Sequence, residues 1–171
     1  EHEKTLYHYQ LAISLDATSY QLLSNYGAFL QKSGDFQGAL DTYLKSSKIN
    51  NQYPITHYNL GSIYHALGEY PSAIAHYTKA TQLNPKYAEA YVGLGRSYRS
   101  SGEATLAIEC YDKAINLDNK NVEAYSNKGR ALLTYARNDE ALESYRTALN
   151  LDPDNIEIEC SIASLLERKG Q

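Results

Sequence analysis

Three asparagines are the first side chains in this sequence whose type and spacing could do recognition chemistry. Asn25, Asn59 and Asn127 recur at intervals of 34 and 68 residues, and Gly93 interrupts the series. A carboxamide offers one acceptor and two donors, so a spaced row of asparagines can hydrogen-bond to the backbone of an extended peptide whatever its sequence. The alternative is a row of solvated side chains without a partner.

Three arginines form a second set. Arg99 lies one helical turn beyond Arg96, and Arg130 follows Arg96 by 34 residues. Forked guanidinium groups favour carboxylates and phosphorylated residues, so this set predicts a partner of acidic character. The alternative is that the arginines pair with Glu89 and Glu123 of the same chain.

Catalytic and metal-binding patterns have little support. The sequence has no Gly-rich phosphate loop and no nucleophile elbow, and no histidine has a metal-ligand partner at i, i+4. Cys110 and Cys160 are 50 residues apart without a CxxC motif, which predicts two free thiols. We therefore expect no enzyme activity, no cofactor and no metal. The histidines are His2, His8, His57, His65 and His76.

Composition excludes several classes of partner. The 171-residue chain has a formal net charge of -4 and a pI near 5.7, so no basic field attracts nucleic acid. No apolar run approaches the roughly 20 residues that span a bilayer, and the first residues lack the pattern of a signal peptide. The sequence predicts a soluble protein of a reducing compartment, the cytoplasm, with the nucleus as the alternative.

The elements that position these residues recur every 34 residues. Such self-similarity indicates a stack of small structural repeats. The recurring residues are Tyr9, Tyr43, Tyr77, Tyr111 and Tyr145, Gly27, Gly61, Gly95 and Gly129, and Ala39, Ala73, Ala107 and Ala141.

Each repeat has the spacing of two helices. Ala73, Tyr77 and Ala80 fall at i, i+4 and i+7, which predicts one apolar helix face. The stretch before them, "THYNLGSIYHALG", predicts another helix that ends at Gly68. Gly61 and Ala73 leave room for the ring of Tyr77, so a leucine at either small residue should wedge the two helices apart.

The stretches "AYVGLGRSY" (90 to 98) and "AIECYDKA" (107 to 114) resemble the tetratricopeptide repeat family. That resemblance implies an all-α fold, a right-handed α-solenoid of stacked antiparallel helix pairs forming a superhelix. Lys128 occupies the place of Leu60 and Leu94, where a semi-buried lysine must reach solvent or pair, and Ala136 occupies the place of Gly68.

The resemblance also divides the chain. We expect a single array with full repeats at 20–53, 54–87, 88–121 and 122–155. Residues 1–19 would be the second helix of a truncated repeat, and 156–171 the first helix of a further repeat or a cap. With no methionine in the chain, we expect a fragment of a longer protein, whose cut ends could promote self-association.

The resemblance further implies a protein-binding function. In this family the first helices line a concave groove that holds an extended peptide or a helix of a partner. The asparagine row looks like the ladder of O-linked N-acetylglucosamine transferase, although asparagine is also common at that place in the family. The residues implied to line the groove are Asn25, Asn59, Asn127, Tyr58, Ser62, His65, Arg96, Arg99 and Arg130.

The chain lacks the clamp with which some relatives hold the acidic C-terminal tails of heat-shock chaperones. Ser24, Ala28 and Glu89 stand where those relatives have lysine, asparagine and lysine. We therefore expect a protein-binding scaffold, a subunit of a multiprotein assembly, that does not bind chaperone tails. The alternatives are the substrate-recruiting arm of an enzyme such as an O-linked glycosyltransferase, and a self-assembling structural module.

Overall fold

The computed structural model describes residues 2–168, and every regular element in that range is helical. Residue 1 and residues 169–171, which include the end of the segment 156–171, lie outside the described residues. The helices are α1 (His2–Leu15), α2 (Tyr20–Lys32), α3 (Phe36–Ile49), α4 (Pro54–Ala66), α5 (Tyr70–Leu83), α6 (Ala88–Ser100), α7 (Ala104–Leu117), α8 (Val122–Leu132), α9 (Asn138–Leu151) and α10 (Ile156–Arg168).

The chain forms two compact units, Glu1–Pro85 (unit 1) and Lys86–Gln171 (unit 2). In unit 1, α2 pairs with α3 and α4 with α5, while α1 packs on α2. In unit 2, α6 pairs with α7 and α8 with α9, and α10 packs on α9. These helical pairs were expected from the 34-residue period; the division into numbered repeats stays a prediction.

Small residues on the first helix of each pair admit a tyrosine from the second. A Cβ atom added to Gly61 would lie 2.8 Å from Cγ of Tyr77, and one added to Gly95 would lie 2.6 Å from Cε1 of Tyr111. Tyr77 is 4% exposed and Tyr111 is fully buried. Glycine is therefore required by the close approach of the two helices, as the sequence spacing predicted.

Lys128 pairs as its place in the repeat required. Its Nζ lies 2.7 Å from Oδ1 of Asp112 on α7, and 27% of the lysine side chain remains exposed. The pair links α7 to α8 at the edge of a core built from small residues and tyrosines. That core includes Ala107, Tyr111, Ala124, Leu132, Ala141, Tyr145, Ile158 and Leu165.

The end of α8 differs from the other first-helix ends. The turn after each of the first three paired first helices (α2, α4 and α6) holds a glycine in the left-handed region, with φ of 86°, 79° and 87°. The turn after α8 holds Ala136 instead, with φ of 53°. A 3-10 turn, Leu133–Tyr135, precedes it. Left-handed backbone costs an L-residue roughly 1–2 kcal/mol, so this turn is strained where its relatives are not. The three glycines are Gly34, Gly68 and Gly102.

Replacing Ala136 with glycine should stabilise the protein by about 1 kcal/mol, because glycine adopts this backbone without the Cβ clash. Urea denaturation followed by circular dichroism measures the change. The matched control is Gly102→Ala, which introduces the same strain at the equivalent turn and should destabilise by a similar amount. A loss of stability in Ala136→Gly would contradict the expectation.

Two histidines join α4 to α5 in unit 1. Nδ1 of His57 lies 3.1 Å from Nδ1 of His76, and Nε2 of His57 lies 2.9 Å from Oδ1 and 3.1 Å from the backbone oxygen of Asn51. Oxygen acceptors fix the proton of His57 on Nε2, so its Nδ1 accepts from Nδ1–H of His76. Burial lowers the pKa of both rings, that of His76 to about 4. The ring of Tyr64 stacks on His76 at 5.4 Å.

Candidate functional site

The nine residues predicted to contact a partner all lie on first helices. We call the residues on α2 and α4 the first-helix face of unit 1: Asn25, Tyr58, Asn59, Ser62 and His65. We call the residues on α6 and α8 the first-helix face of unit 2: Arg96, Arg99, Asn127 and Arg130. The two faces are described separately.

The asparagines of unit 1 differ in what they bond. Asn25 is exposed, and its side chain makes no hydrogen bond with any other residue in 2–168. Asn59 is half-buried, and its Nδ2 donates to Oγ of Ser24 on α2 at 3.3 Å. One donor of Asn59 is therefore committed, which fixes the orientation of its carboxamide.

A buried hydroxyl network holds Ser24 in place. Oγ of Ser46 on α3 donates to the backbone oxygen of Tyr20 at 2.8 Å and lies 2.9 Å from Oγ1 of Thr56 on α4. Oγ1 of Thr56 in turn lies 3.4 Å from Oγ of Ser24. The network joins three helices and ends at Asn59. Ser46 stands where the later repeats have Ala80, Ala114 and Ala148, so this buried serine contributes to the site indirectly.

Ser62 is positioned by a second chain of hydrogen bonds. Nε2 of Gln31 on α2 donates to Oγ of Ser62 at 3.1 Å, and the hydroxyl of Tyr43 donates to Oε1 of Gln31 at 3.1 Å. Tyr43 is fully buried. Gln31 thus connects a core tyrosine to the first-helix face of unit 1.

The aromatic residues of this face pack on neighbouring rings. Tyr58 meets the buried ring of Tyr77 edge-on, with centroids 5.7 Å apart and an interplanar angle of 64°. His65 lies 5.4 Å from the ring of Tyr70 at 53°. Both are half-buried, so each presents a supported ring edge that could contact a partner side chain.

Two arginines of unit 2 are already paired. Nη1 of Arg96 lies 3.0 Å from Oε1 of Glu123, and Nη2 of Arg130 lies 2.6 Å from Oε1 of Glu157. Both pairs join consecutive first helices at the same sequence offset. The alternative from the sequence, that the arginines pair with glutamates of the same chain, therefore describes Arg96 with Glu123. Glu157 is the equivalent partner of Arg130. Exposed pairs of this kind each contribute roughly 0–1 kcal/mol.

Arg99 has no carboxylate partner among residues 2–168. Its Nε is buried without a hydrogen bond, and so is the hydroxyl of Tyr111. Burial raises the pKa of Tyr111 to about 12, while the nearby guanidinium groups of Arg99 and Arg96 act in the opposite direction. The guanidinium group of Arg99 acts as a hydrogen-bond donor towards the Tyr111 oxygen, whereas the hydroxyl proton of Tyr111 and Nε–H of Arg99 have no acceptor among the described residues.

Asn127 is the least accessible of the predicted residues. It is 8% exposed, and its Nδ2 donates to the backbone oxygen of Glu123 in its own helix at 3.0 Å. The interpretation of the row as solvated side chains therefore does not describe Asn127. Its carboxamide oxygen and its second N–H have no hydrogen bond within the described residues.

An open cavity of about 410 Å³ lies beside Arg130, between α8, α9 and α10. Tyr145 and the exposed Cys160 line it. Cys160 and the buried Cys110 are free thiols, as predicted, and burial raises the pKa of Cys110 to about 11. Within residues 2–168, no group of three or more histidine, cysteine, aspartate or glutamate side chains could hold a metal.

Comparison with family models identifies the repeats. A model described as TPR repeat matches residues 30–68, 61–98, 95–134 and 137–170. The chain belongs to the tetratricopeptide repeat (TPR) family. Its fold class is therefore the predicted one, a TPR solenoid of stacked antiparallel helix pairs. No curated protein matches the sequence. Among the described residues, no helix has the length and apolar character to cross a membrane.

Several solved TPR structures resemble this one. A crystal structure of MamA is 28% identical with a TM-score of 0.78, covering 87% of each chain. A thermophilic TPR protein from Thermus thermophilus, TTC0263, is 23% identical with a TM-score of 0.79, covering 96% of this chain and 90% of the other. The first TPR domain of Spaghetti (RPAP3), bound to the HSP90 peptide SRMEEVD, is 23% identical with a TM-score of 0.68, covering 70% and 95%. The last two show the fold alone.

Sequence reasoning missed the residues that support the TPR faces. Ser24 and Gln31 orient Asn59 and Ser62, and neither was predicted as part of the site. The available signal was the period itself, because Gln31 occupies the place that Arg99 occupies two repeats later. A comparison of the residues at this repeat position, Gln31 with Arg99, would have drawn attention to Arg99 and to the nearby Tyr111.

Proposed function

We propose that this TPR protein is a non-catalytic scaffold that binds a segment of a partner protein, extended or helical, along the first-helix faces of its repeats. It would act in the cytoplasm as part of a multiprotein assembly. Membership of the family supports protein binding in general terms. The observation that carries the proposal is the state of Asn25, whose exposed carboxamide has no hydrogen bond within residues 2–168.

The asparagines would contribute unequally. Asn25 offers two donors and an acceptor to a peptide backbone, whereas Asn59 and Asn127 each offer one donor fewer, because one N–H of each already donates within the chain. Asn59 is oriented in advance by Ser24, so less side-chain entropy is lost when it binds. Tyr58, Ser62 and His65 would surround the same segment on unit 1.

Acidic character of the partner would be selected on unit 2. Carboxylates on a partner must compete with Glu123 for Arg96 and with Glu157 for Arg130. Arg99 has no such competitor within the described residues. The preference for an acidic partner therefore rests on Arg99 more than on the other two arginines.

Chaperone tails and nucleic acid fit these faces poorly. Ser24 is buried in the hydroxyl network of unit 1 and cannot serve as a cationic clamp residue, and the exposed Glu89 would repel a carboxylate. The net charge of -4 gives no attraction to a phosphate backbone. We propose that the partner is a protein segment other than a chaperone tail, and that the peptide SRMEEVD does not bind with submicromolar affinity.

The double substitution Asn25→Ala, Asn59→Ala should weaken partner binding about tenfold or more, because each lost hydrogen bond contributes roughly 1 kcal/mol. Proteins captured from the source cell by the wild type are mapped to one binding peptide, whose affinity is then measured by fluorescence polarisation. The control is Asn116→Ala, Asn150→Ala, the same change at exposed places on the second helices α7 and α9. Equal affinity in all three proteins would refute the asparagine contacts.

A further inference from the structure

Two places in the repeat face each other, one on the first helix and one on the second. The first-helix place is occupied in turn by Gln31, His65, Arg99 and Leu133, and the second-helix place by Tyr43, Tyr77, Tyr111 and Tyr145. In the first full repeat, Tyr43 on the second helix has an acceptor on the first helix. Its hydroxyl donates to Oε1 of Gln31 at 3.1 Å. The buried tyrosine hydroxyl is satisfied there.

In the third full repeat the acceptor is missing. Arginine carries five N–H donors and no acceptor, so Arg99 cannot receive the proton that Gln31 receives from Tyr43. The structure agrees, since the Tyr111 hydroxyl proton and Nε–H of Arg99 are both buried without an acceptor, and the guanidinium group can only donate to the tyrosine oxygen. Tyr111 is fully buried, so an outside acceptor reaches its hydroxyl only when the half-buried side chain of Arg99 moves aside. Buried donors without partners are rare and costly, at about 1–3 kcal/mol each.

We infer that Arg99 and Tyr111 form a binding subsite for one oxyanion, a carboxylate or phosphate group, carried by the partner segment. The inference rests on the proposed function, which places that segment along the first-helix face of unit 2. The oxyanion supplies the acceptors that Gln31 supplies to Tyr43, and its charge is matched by the guanidinium group. The bound oxyanion then accepts charge-assisted hydrogen bonds from the two donors that are otherwise unsatisfied.

The neighbouring ion pairs limit the subsite to a single acidic group. Glu123 and Glu157 neutralise Arg96 and Arg130, and both carboxylates are largely exposed on the same face. A run of acidic residues on the partner would meet these glutamates and be repelled. The subsite therefore suits one acidic or phosphorylated residue in an otherwise neutral or basic segment, which is consistent with the expected failure of the acidic chaperone tail to bind.

The direct test uses NMR of the arginine side chains. The Nε–H signals of the ¹⁵N-labelled protein are followed during titration with sodium acetate, sodium phosphate or sodium chloride at constant ionic strength. We expect the Arg99 signal to shift saturably with acetate or phosphate and not with chloride, while Arg96 and Arg130 shift less. Acetate indicates a carboxylate source and phosphate a phosphorylated residue. Equal shifts of all three arginines, or no shift of Arg99, overturn the subsite.

Three variants test the missing acceptor without a ligand. Tyr43→Phe removes a hydrogen bond and should lower the Tm by about 2 °C or more, whereas Tyr111→Phe removes an unsatisfied hydroxyl and should leave the Tm unchanged or raised. Arg99→Gln rebuilds the pair of Gln31 with Tyr43, so it should preserve the Tm and abolish the oxyanion response. A loss in Tyr111→Phe equal to that in Tyr43→Phe would show that the hydroxyl is already satisfied, and would overturn the subsite.

The captured peptide separates this inference from the proposed function. If Asn25→Ala, Asn59→Ala weakens binding and Arg99→Gln does not, the scaffold function stands and the subsite is wrong. If the Arg99 signal responds to an oxyanion while no protein segment binds, the subsite stands and its connection to a protein partner is wrong.

Discussion

Replacing Gly61 with leucine should destabilise the protein by about 3 kcal/mol or more and separate α4 from α5, because overpacking at a helix contact forces the backbones apart. A Cβ at Gly61 would already lie 2.8 Å from Cγ and Cδ1 of Tyr77, and Cγ cannot move without the main chain of α5. Tyr77 is 4% exposed, so the ring has no open space to occupy. Urea denaturation followed by circular dichroism measures the loss.

The comparison of alanine variants gives this prediction a graded control. Gly129→Ala places its Cβ 3.0 Å from the ring of Tyr145, which is tighter than ordinary van der Waals contact, so the ring must shift by a few tenths of an ångström. Alanine gains roughly 0.5–1 kcal/mol over glycine in a helix interior, which offsets the cost of that shift. We expect Gly129→Ala to be nearly neutral, Gly61→Ala to be destabilising and Gly61→Leu to be the least stable. Wild-type stability in Gly61→Leu would mean that α4 and α5 do not pack as closely as the structure shows.

The fold was predictable because its determinants recur at one interval. Glycine, alanine and tyrosine at the helix contacts leave only one way for a first helix to approach a second, and the same solution appears at Gly61 with Tyr77 and at Gly95 with Tyr111. The turn at Ala136 was recognised as a departure, but its left-handed backbone was not, since alanine rarely adopts it. The backbone of the turn between α8 and α9, not the alanine side chain, imposes that conformation.

The environment of each predicted asparagine was not predictable from its position alone. Asn59 donates to Ser24, the residue 35 positions earlier, whereas the residue 35 positions before Asn127 is Val92, which offers no side-chain acceptor. Asn127 therefore donates to the backbone of Glu123 in its own helix. Equivalent places in a repeat share a backbone but not neighbours, so a row in the sequence need not be a row of equal binding groups.

The ion pairs of unit 2 illustrate what a longer-range reading adds. Arg96 with Glu123 and Arg130 with Glu157 are the same contact made twice, and the second was visible in the sequence as a 34-residue translation of the first. Once these pairs are recognised, Arg99 remains as the one member of the predicted arginine set, Arg96, Arg99 and Arg130, that has no carboxylate partner among the described residues. The three arginines are therefore not equivalent: Arg96 and Arg130 form structural ion pairs, and Arg99 is the candidate binding group.

Acidification from pH 7 to pH 4 should destabilise unit 1 through the contact of His57 with His76. Burial holds the pKa of both rings below the usual value of 6.5, that of His76 at about 4, and Lys79 further opposes protonation of His57. The unfolded chain therefore binds protons that the folded chain resists, so this contribution to stability is complete above about pH 6.5 and is lost progressively towards pH 4. Protonation of His57 also places two Nδ1–H groups face to face, which breaks their hydrogen bond.

The expected loss is about 1–2 kcal/mol, smaller than the full shift of His76 implies because that ring is only partly buried. Urea denaturation of the wild type and of His76→Phe at pH 7, 5 and 4 isolates the effect, since phenylalanine keeps a ring against Tyr64 but cannot titrate. His8→Gln, on the exposed surface of α1, is the matched control and should follow the wild type. His76→Phe should lose less stability between pH 7 and pH 4 than the other two proteins; equal losses in all three would show that the acid sensitivity arises outside this pair.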